Sequence, residues 1–415
     1  MTETPDAFAT DPARLGLMQG FPPAPDKTLD LLRSDSRRWP NTRWSFSHQR
    51  EMTPTAVVRR GPGAASVLPY ALRDDLDAVA FTSMDGQAMD WGQSLAANYT
   101  DGIVVLHKGA VIYERYLGAL EPHMPHLAFS VTKSFVGLLA ALLRAEGLLD
   151  PDALVPSYVP ELAGTAYGDA TVRQVMDMTI GVKYSELYTD PKADVWAYSR
   201  AAGMSPLPPG YDGPRTIFAF LQGLQKEGQH GQAFAYKTCN TEVLSWVIQR
   251  ITGQSFASLV SDRLWQKIGA EEDAYVQVDS IAVAMAGGGL NTTLRDLARV
   301  GEMMRLDGVY NGQQILPRSV VDDIRGGADR EHFAKAGVAT LPGWSYRNMW
   351  WVSHNNLGAY SARGIHGQAL WIAPAADLII ARYASHPIAG NGNSVLDKVS
   401  LPAYQALAEH VMATG

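Results

Sequence analysis

Phe129-Ser130-Val131-Thr132-Lys133 stands directly ahead of the run Phe135-Val136-Gly137-Leu138-Leu139-Ala140-Ala141-Leu142-Leu143. The run is uncharged and apolar all round, the pattern of a helix in the middle of a domain. In a helix that opens at Ser130, Ser130 and Lys133 lie one turn apart on one face, so their side chains can meet. A hydroxyl beside a neutral amine is a nucleophile beside its base. Ser130 also has a plainer reading, as the N-cap of the helix. A capping serine is usually followed three residues later by Glu or Gln, and a first turn favours negative charge. This chain has Lys133 there instead. A protonated lysine opposes the helix dipole and is costly to bury. A neutral one escapes both objections, and burial moves its pKa that way. Ser130 is the only serine of the chain with a lysine three residues on. The spacing by itself leaves cap and nucleophile both open.

Composition narrows what the pair could serve. The chain has 415 residues, 46% hydrophobic and 19% charged, ordinary values for a soluble enzyme with a substantial core. A net charge of −7 argues against a nucleic-acid partner. No apolar stretch approaches membrane-spanning length, since the run after Lys133 breaks at Arg144 and Glu146, so no membrane partner is expected. Residues 1–27 are polar and proline-punctuated, with no basic segment leading into an apolar one, and read as no export signal. The single cysteine, Cys239, allows no intrachain disulfide or cysteine-based metal cluster, and the ten histidines form no HExxH pattern. A cytoplasmic, metal-free protein is the expectation.

Residues 1–65 read as an irregular leader. Residues 103–107 and 110–116 read as a β-hairpin turning at Lys108-Gly109. The Ser130 helix follows and ends near Gly147. Residues 165–285 read as helices and long loops, with helices expected at 171–178, 216–224, 242–251 and 256–268. Another is expected at 294–306 from its helical periodicity. Strands return at 349–352, 369–372 and 378–383, the last two joined by Pro374-Ala375-Ala376-Asp377. A helix over 394–412 closes the chain. Strands at both ends with helices between them imply an α/β (α+β) fold, an antiparallel sheet flanked by helices with an inserted, mainly helical lobe. The expected division is a leader over 1–65, an α/β lobe over 66–165 and 285–415, and a helical lobe over 166–284, with the active site between the lobes.

Further segments carry a resemblance. They are Ser130-Val131-Thr132-Lys133, Tyr158-Val159-Pro160-Glu161-Leu162-Ala163-Gly164, Gln174-Val175-Met176-Asp177-Met178 and Tyr188-Thr189-Asp190-Pro191. Tyr236 with Asn240-Thr241, Gly288-Gly289 with Asp296-Leu297-Ala298-Arg299-Val300-Gly301, and Gly364-Ile365-His366-Gly367-Gln368 complete the set. In this order the chain resembles the serine β-lactamase-fold hydrolases, in the branch of class C β-lactamases and family VIII esterases. Within that branch it is similar to the 6-aminohexanoate-dimer (nylon-oligomer) hydrolases, from Asn41 to the C-terminus.

The resemblance implies a β-lactamase/transpeptidase-like fold and a catalytic set of Ser130, Lys133 and Tyr236. The backbone N–H groups of Ser130 and Ile365 would form the oxyanion hole. Tyr188 and His366 would contact substrate, although Tyr188 reads equally as a pinned loop aromatic and His366 as a packing residue, or as a general acid/base if His366-Gly367-Gln368 is the aligned motif. The substrate would be a short linear amide or ester, and no cofactor is implied. A homodimer stays open, since nothing in the sequence sets the oligomeric state. Two departures stand out. Thr238 occupies the place of the Asn in the β-lactamase Tyr-x-Asn element, and Ala362-Arg363-Gly364 stands where β-lactamases carry Lys-Thr-Gly. Both argue against a β-lactam substrate. A β-lactamase, a D-amino-acid peptidase and a non-catalytic binding protein of the same fold are the alternatives. Trp350-Trp351 offers at most one ring to the pocket, because neighbours on a strand face opposite sides. Cys239 reads as buried and inert.

Overall fold

The computed structural model describes residues 6–30, 36–390 and 394–415. The parts of the expected leader at 1–5 and 31–35 lie outside the described residues. The leader is not irregular throughout. Thr55–Val58 forms a strand, β1, and Thr42–Ser45 a helical turn. The expected hairpin is β2 (Thr100–His107) and β3 (Ala110–Tyr116). Lys108 and Gly109 turn it with φ of 51° and 83°. A two-residue strand β4 (His126–Leu127) leads into the Ser130 helix, α1 (Val131–Ala145).

The middle of the chain holds the short helices Val172–Met176, Asp194–Ala201 and Ile217–Gln222, then the long helix α2 (Thr238–Thr252). α2 begins four residues before its expected start. Its first turn, Thr238-Cys239-Asn240-Thr241, has weak helix propensity, but all four side chains are buried, and packing overrides propensity. Strands β5 (Ala274–Gln277) and β6 (Leu290–Thr292) precede helix α3 (Leu294–Arg305). Then come β7 (Ser345–Arg347), β8 (Trp350–Val352), β9 (Tyr360–Gly364), β10 (Gln368–Ala373) and β11 (Leu378–Ala384), and the closing helix α4 (Ser394–Thr414).

The main sheet is antiparallel in the order β7-β8-β9-β10-β11-β2-β3. Its central strands β10, β11 and β2 run mainly apolar without alternation because both faces are covered. Val104, Leu106, Leu370 and Ile379 share one core with α1 and α3. Ile103, Val105, Trp371 and Ile380 share another with Tyr404, Leu407 and Val411 of α4. A second antiparallel sheet, β1-β5-β6-β4, stands beside it. This sheet fixes the approach to Ser130, since β4 pairs with β6 and the Ala128 N–H donates to the Leu290 carbonyl at 2.9 Å.

α1 is seated tightly between the sheets and α2. A Cβ on Gly137 would fall 1.9 Å from the Asn348 carbonyl oxygen. Ser134 Oγ donates to the Met349 carbonyl at 2.7 Å, and Trp350 Nε1 donates to that of Ser134 at 3.2 Å. Among the described residues no helix is long and apolar enough to cross a membrane.

Candidate active site

Ser130 occupies the N-cap position of α1, yet its hydroxyl makes no capping bond. The preceding residue, Phe129, has φ of 45°, a left-handed conformation that costs energy for a side chain of this size. Its surroundings hold it there. The ring packs on Phe46 at 4.8 Å and on His366 at 5.3 Å between centroids. Thr132 Oγ1 donates to the Phe129 carbonyl at 2.6 Å and accepts from the Leu290 N–H at 3.1 Å. The bend presents the Ser130 hydroxyl at the wall of a cavity.

Lys133 lies behind it, 1% exposed. Its Nζ donates to Ser130 Oγ at 2.9 Å and to the Gly287 carbonyl. Burial lowers its pKa from 10.5 to about 8, against the opposing pull of Glu186 and Glu242. Glu242, one turn into α2, holds the segment that receives the lysine. Its carboxylate accepts from the N–H groups of Gly287 at 2.6 Å and Ala286 at 3.2 Å, and from the Tyr198 hydroxyl. Burial raises the Glu242 pKa to about 7, with those donors and Lys133 pulling it back. A buried acid therefore fixes the turn whose carbonyl holds the buried Lys133.

Tyr236 precedes α2. Lys133 Nζ lies 5.2 Å from its ring centroid. Burial pushes its hydroxyl far above the ordinary value, Glu186 adds to this, and the nearby Ser130 hydroxyl works the other way. Trp351 packs on the Tyr236 ring at 5.4 Å. Neither Trp350 nor Trp351 lines the cavity. The sheet turns Trp351 behind Tyr236 as a support and Trp350 towards α1.

The end of β9 closes the other side. A Cβ on Gly364 would fall 2.7 Å from the Ala128 carbonyl oxygen, so only glycine lets this strand end approach the Ser130 segment so closely. Ile365 and His366 follow in a tight turn, His366 with φ of 63°. Both line the cavity. His366 Nδ1 is 2.7 Å from the His386 carbonyl oxygen, and burial lowers the ring's pKa to about 4. At neutral pH it is an uncharged wall.

The cavity measures about 590 Å³ and is walled mainly by apolar side chains such as Leu127, Trp196, Met204, Met285 and Ile388. Tyr188 also lines it, donating to Glu186 Oε1 at 2.9 Å. Thr238 commits its N–H and hydroxyl to the same carboxylate, at 2.7 and 2.6 Å. Of the six residues expected at the site, Ser130, Ile365, His366 and Tyr188 face the cavity, while Lys133 and Tyr236 meet Ser130 from behind. Sequence reading missed Glu242, Glu186 and Tyr198. Glu242 left a signal, an acid among Val243, Leu244, Trp246 and Val247 in a buried helix. Cys239 is buried, and its thiol is pushed up to about 12 by burial. Among the described residues no group of His, Cys, Asp and Glu is arranged to hold a metal ion.

The beta-lactamase family profile matches residues 93–394, which contain the serine, the lysine, the tyrosine and the Gly364 turn. The chain belongs to the beta-lactamase family. It is 37% identical over 349 residues to the 6-aminohexanoate-dimer hydrolase of Paenarthrobacter ureafaciens, covering 84% of this chain and 86% of that protein. A solved structure from Bacillus anthracis assigned as a 6-aminohexanoate-dimer hydrolase superposes with a TM-score of 0.84 at 34% identity, covering 93% of this chain and 99% of that one. A family VIII carboxylesterase shares the fold alone, with a TM-score of 0.53 at 16% identity over 76% of this chain and 96% of the other. This member of the beta-lactamase family is thus a hydrolase with the antiparallel, helix-flanked fold of its relatives.

Proposed function

We propose that the protein is a serine hydrolase of short linear amides and esters that works through an acyl-enzyme. The observation that carries this is Lys133 Nζ, 2.9 Å from the Ser130 hydroxyl and buried at the wall of an apolar cavity. Neutral Lys133 takes the Ser130 proton as Ser130 Oγ attacks the carbonyl carbon. The oxyanion rests on the N–H groups of Ser130 and Ile365. Tyr236 relays the proton to the departing amine or alcohol, and water then cleaves the acyl-serine through the same groups in reverse. In this reading Tyr188 and His366 shape the substrate's path, and the site lies between an α/β lobe (66–165 and 285–415) and a helical lobe (166–284).

The relatives named above make the linear 6-aminohexanoate dimer the specific amide to test. Two features favour open-chain substrates over β-lactams. Thr238 has its hydroxyl engaged by Glu186, and buried Ala362 stands where the motif lysine would be. We also place the protein in the cytoplasm, since its single cysteine allows no intrachain disulfide. The test is kcat/KM for p-nitrophenyl butyrate, the 6-aminohexanoate dimer and the β-lactam nitrocefin, beside Ser130→Ala. Ester and dimer should both outrun nitrocefin, and Ser130→Ala should lose several orders of magnitude. Wild-type activity in Ser130→Ala removes the serine from the mechanism. Nitrocefin as the best substrate makes the protein a β-lactamase.

A further inference from the structure

The turn that carries Ile365 is a strained piece of backbone. His366 has φ of 63° and Gly367 of 103°, two left-handed residues in succession. Such a turn must be held from outside if its first N–H is to keep one direction. The segment that leaves β11 does this. Arg382 Nε donates to the Gly367 carbonyl at 2.9 Å, and the His386 N–H donates to the His366 carbonyl at 3.1 Å. Ile365 itself is held by Gln368, which is buried. Gln368 Nε2 donates to the Ile365 carbonyl at 3.0 Å and to the Ala384 carbonyl at 2.7 Å, and its Oε1 accepts from the Ala384 N–H at 3.0 Å. Both amide protons and the oxygen are engaged. Two carbonyls on one side and an N–H on the other fix which way the amide points. Regular pairing of β10 with β11 ends at Ala369 and Arg382, and the register of β11 with β2 shifts between Tyr383 and Ala384. The Gln368 amide thus stands in for a backbone rung where the sheet gives out, and one of its donors reaches over to the Ile365 turn.

The rest of Gln368 adds a second hold. Its backbone pairs with Gly364 across β9 and β10. A Cβ on Gly364 would fall 3.0 Å from Gln368 Cβ and 3.1 Å from its Cγ, so the stem lies against the glycine. The Ile365 N–H belongs to the peptide that joins Gly364 to Ile365. Gln368 braces that peptide from both ends, at Gly364 by pairing and contact and at Ile365 through the carbonyl. It does so from outside the cavity wall.

We propose that Gln368 is a positioning residue of the oxyanion hole, aiming the Ile365 N–H at the developing oxyanion without touching substrate. The proposal rests on the hydrolase reading above and adds to it the group that preorganises its second donor.

Two variants test it. Gln368→Met keeps the length of the stem and removes all three polar contacts. Gln368→Glu keeps the shape, and even as a neutral acid has one proton for the two carbonyls. With p-nitrophenyl butyrate, kcat should fall roughly ten- to hundredfold in Gln368→Met and at least about threefold in Gln368→Glu, while KM stays within about twofold of wild type. Propylboronic acid forms a tetrahedral adduct on a catalytic serine, so its inhibition constant should rise by the factor lost in kcat/KM. 1-Hexanol only fills the apolar cavity and should inhibit all three proteins alike. A residue that merely supported the fold would weaken hexanol and boronate together, and that result overturns the proposal. So does wild-type kcat in either variant that circular dichroism shows to be folded. Gln368→Glu, of the same shape as glutamine, decides the matter where Gln368→Met fails to fold. Wild-type turnover that survives Gln368→Met unchanged sinks the positioning role alone. Wild-type protein that neither cleaves the ester nor binds the boronate sinks the hydrolase reading itself.

Discussion

Lys133→Met should abolish turnover while removing a pH-dependent burden on the fold. The fall in the Lys133 pKa from 10.5 to about 8 corresponds to about 3 kcal/mol. The sign follows from which state holds the proton. Below about pH 8 both states are protonated, and the native state bears the full penalty of a buried cation. Between about 8 and 10.5 the unfolded chain binds a proton that the native state has released, so wild-type stability rises with pH. Above that window the penalty is gone. Methionine never carries it, but leaves the Gly287 carbonyl without the lysine donor, at a cost of about 1–3 kcal/mol. Near pH 7 the two effects roughly cancel or leave the variant slightly the more stable. Near pH 10.5 only the loss remains. The difference in unfolding free energy, variant minus wild type, should therefore fall by about 3 kcal/mol across this range. Glu242 works in the same direction, because without the cation its ionisation costs the variant more. Urea unfolding of both proteins at half-unit pH steps measures this difference. A flat difference would refute the claim that burial holds Lys133 as a base near neutrality.

Three other outcomes follow from the site. Tyr236→Phe should lower kcat by about 10²- to 10⁴-fold. Combined with Lys133→Ala it should add little, since both belong to one proton relay, and simple additivity would reduce Tyr236 to packing. Glu242→Gln should shift the acid limb of the kcat/KM profile to lower pH, because the carboxylate raises the Lys133 pKa. An unmoved limb would separate Glu242 from the base. Gly364→Ala would place a methyl 2.7 Å from the Ala128 carbonyl oxygen, and should cut kcat at least about tenfold with the circular dichroism unchanged. Full activity in that variant would mean that the Ile365 N–H is not used.

The main helices and strands were legible from local pattern. The Ser130 helix and the 103–116 hairpin each form about where residue periodicity puts them. Strands β1 and β9 were not, because Thr55–Val58 and Tyr360–Gly364 are short and mixed in polarity, and β1 pairs with Ala274–Gln277, far along the chain. The early start of α2 escaped for the same reason, as burial stabilises a turn that propensity disfavours.

The sequence by itself determined that a serine and a lysine share one turn at the head of an apolar helix, since helical spacing is a local property. It also determined the order of motifs that places the chain in its family. Whether that serine caps the helix or faces a cavity was decided only by tertiary structure. So were the lowered pKa of Lys133 and the Glu242 clamp on its anchoring turn. Each depends on desolvation and on partners far away in the chain. Glu242 reaches Gly287, 45 residues on, and Lys133 reaches the same glycine across 154 residues. Electrostatic environment is a property of the folded volume, and a linear pattern carries no record of it.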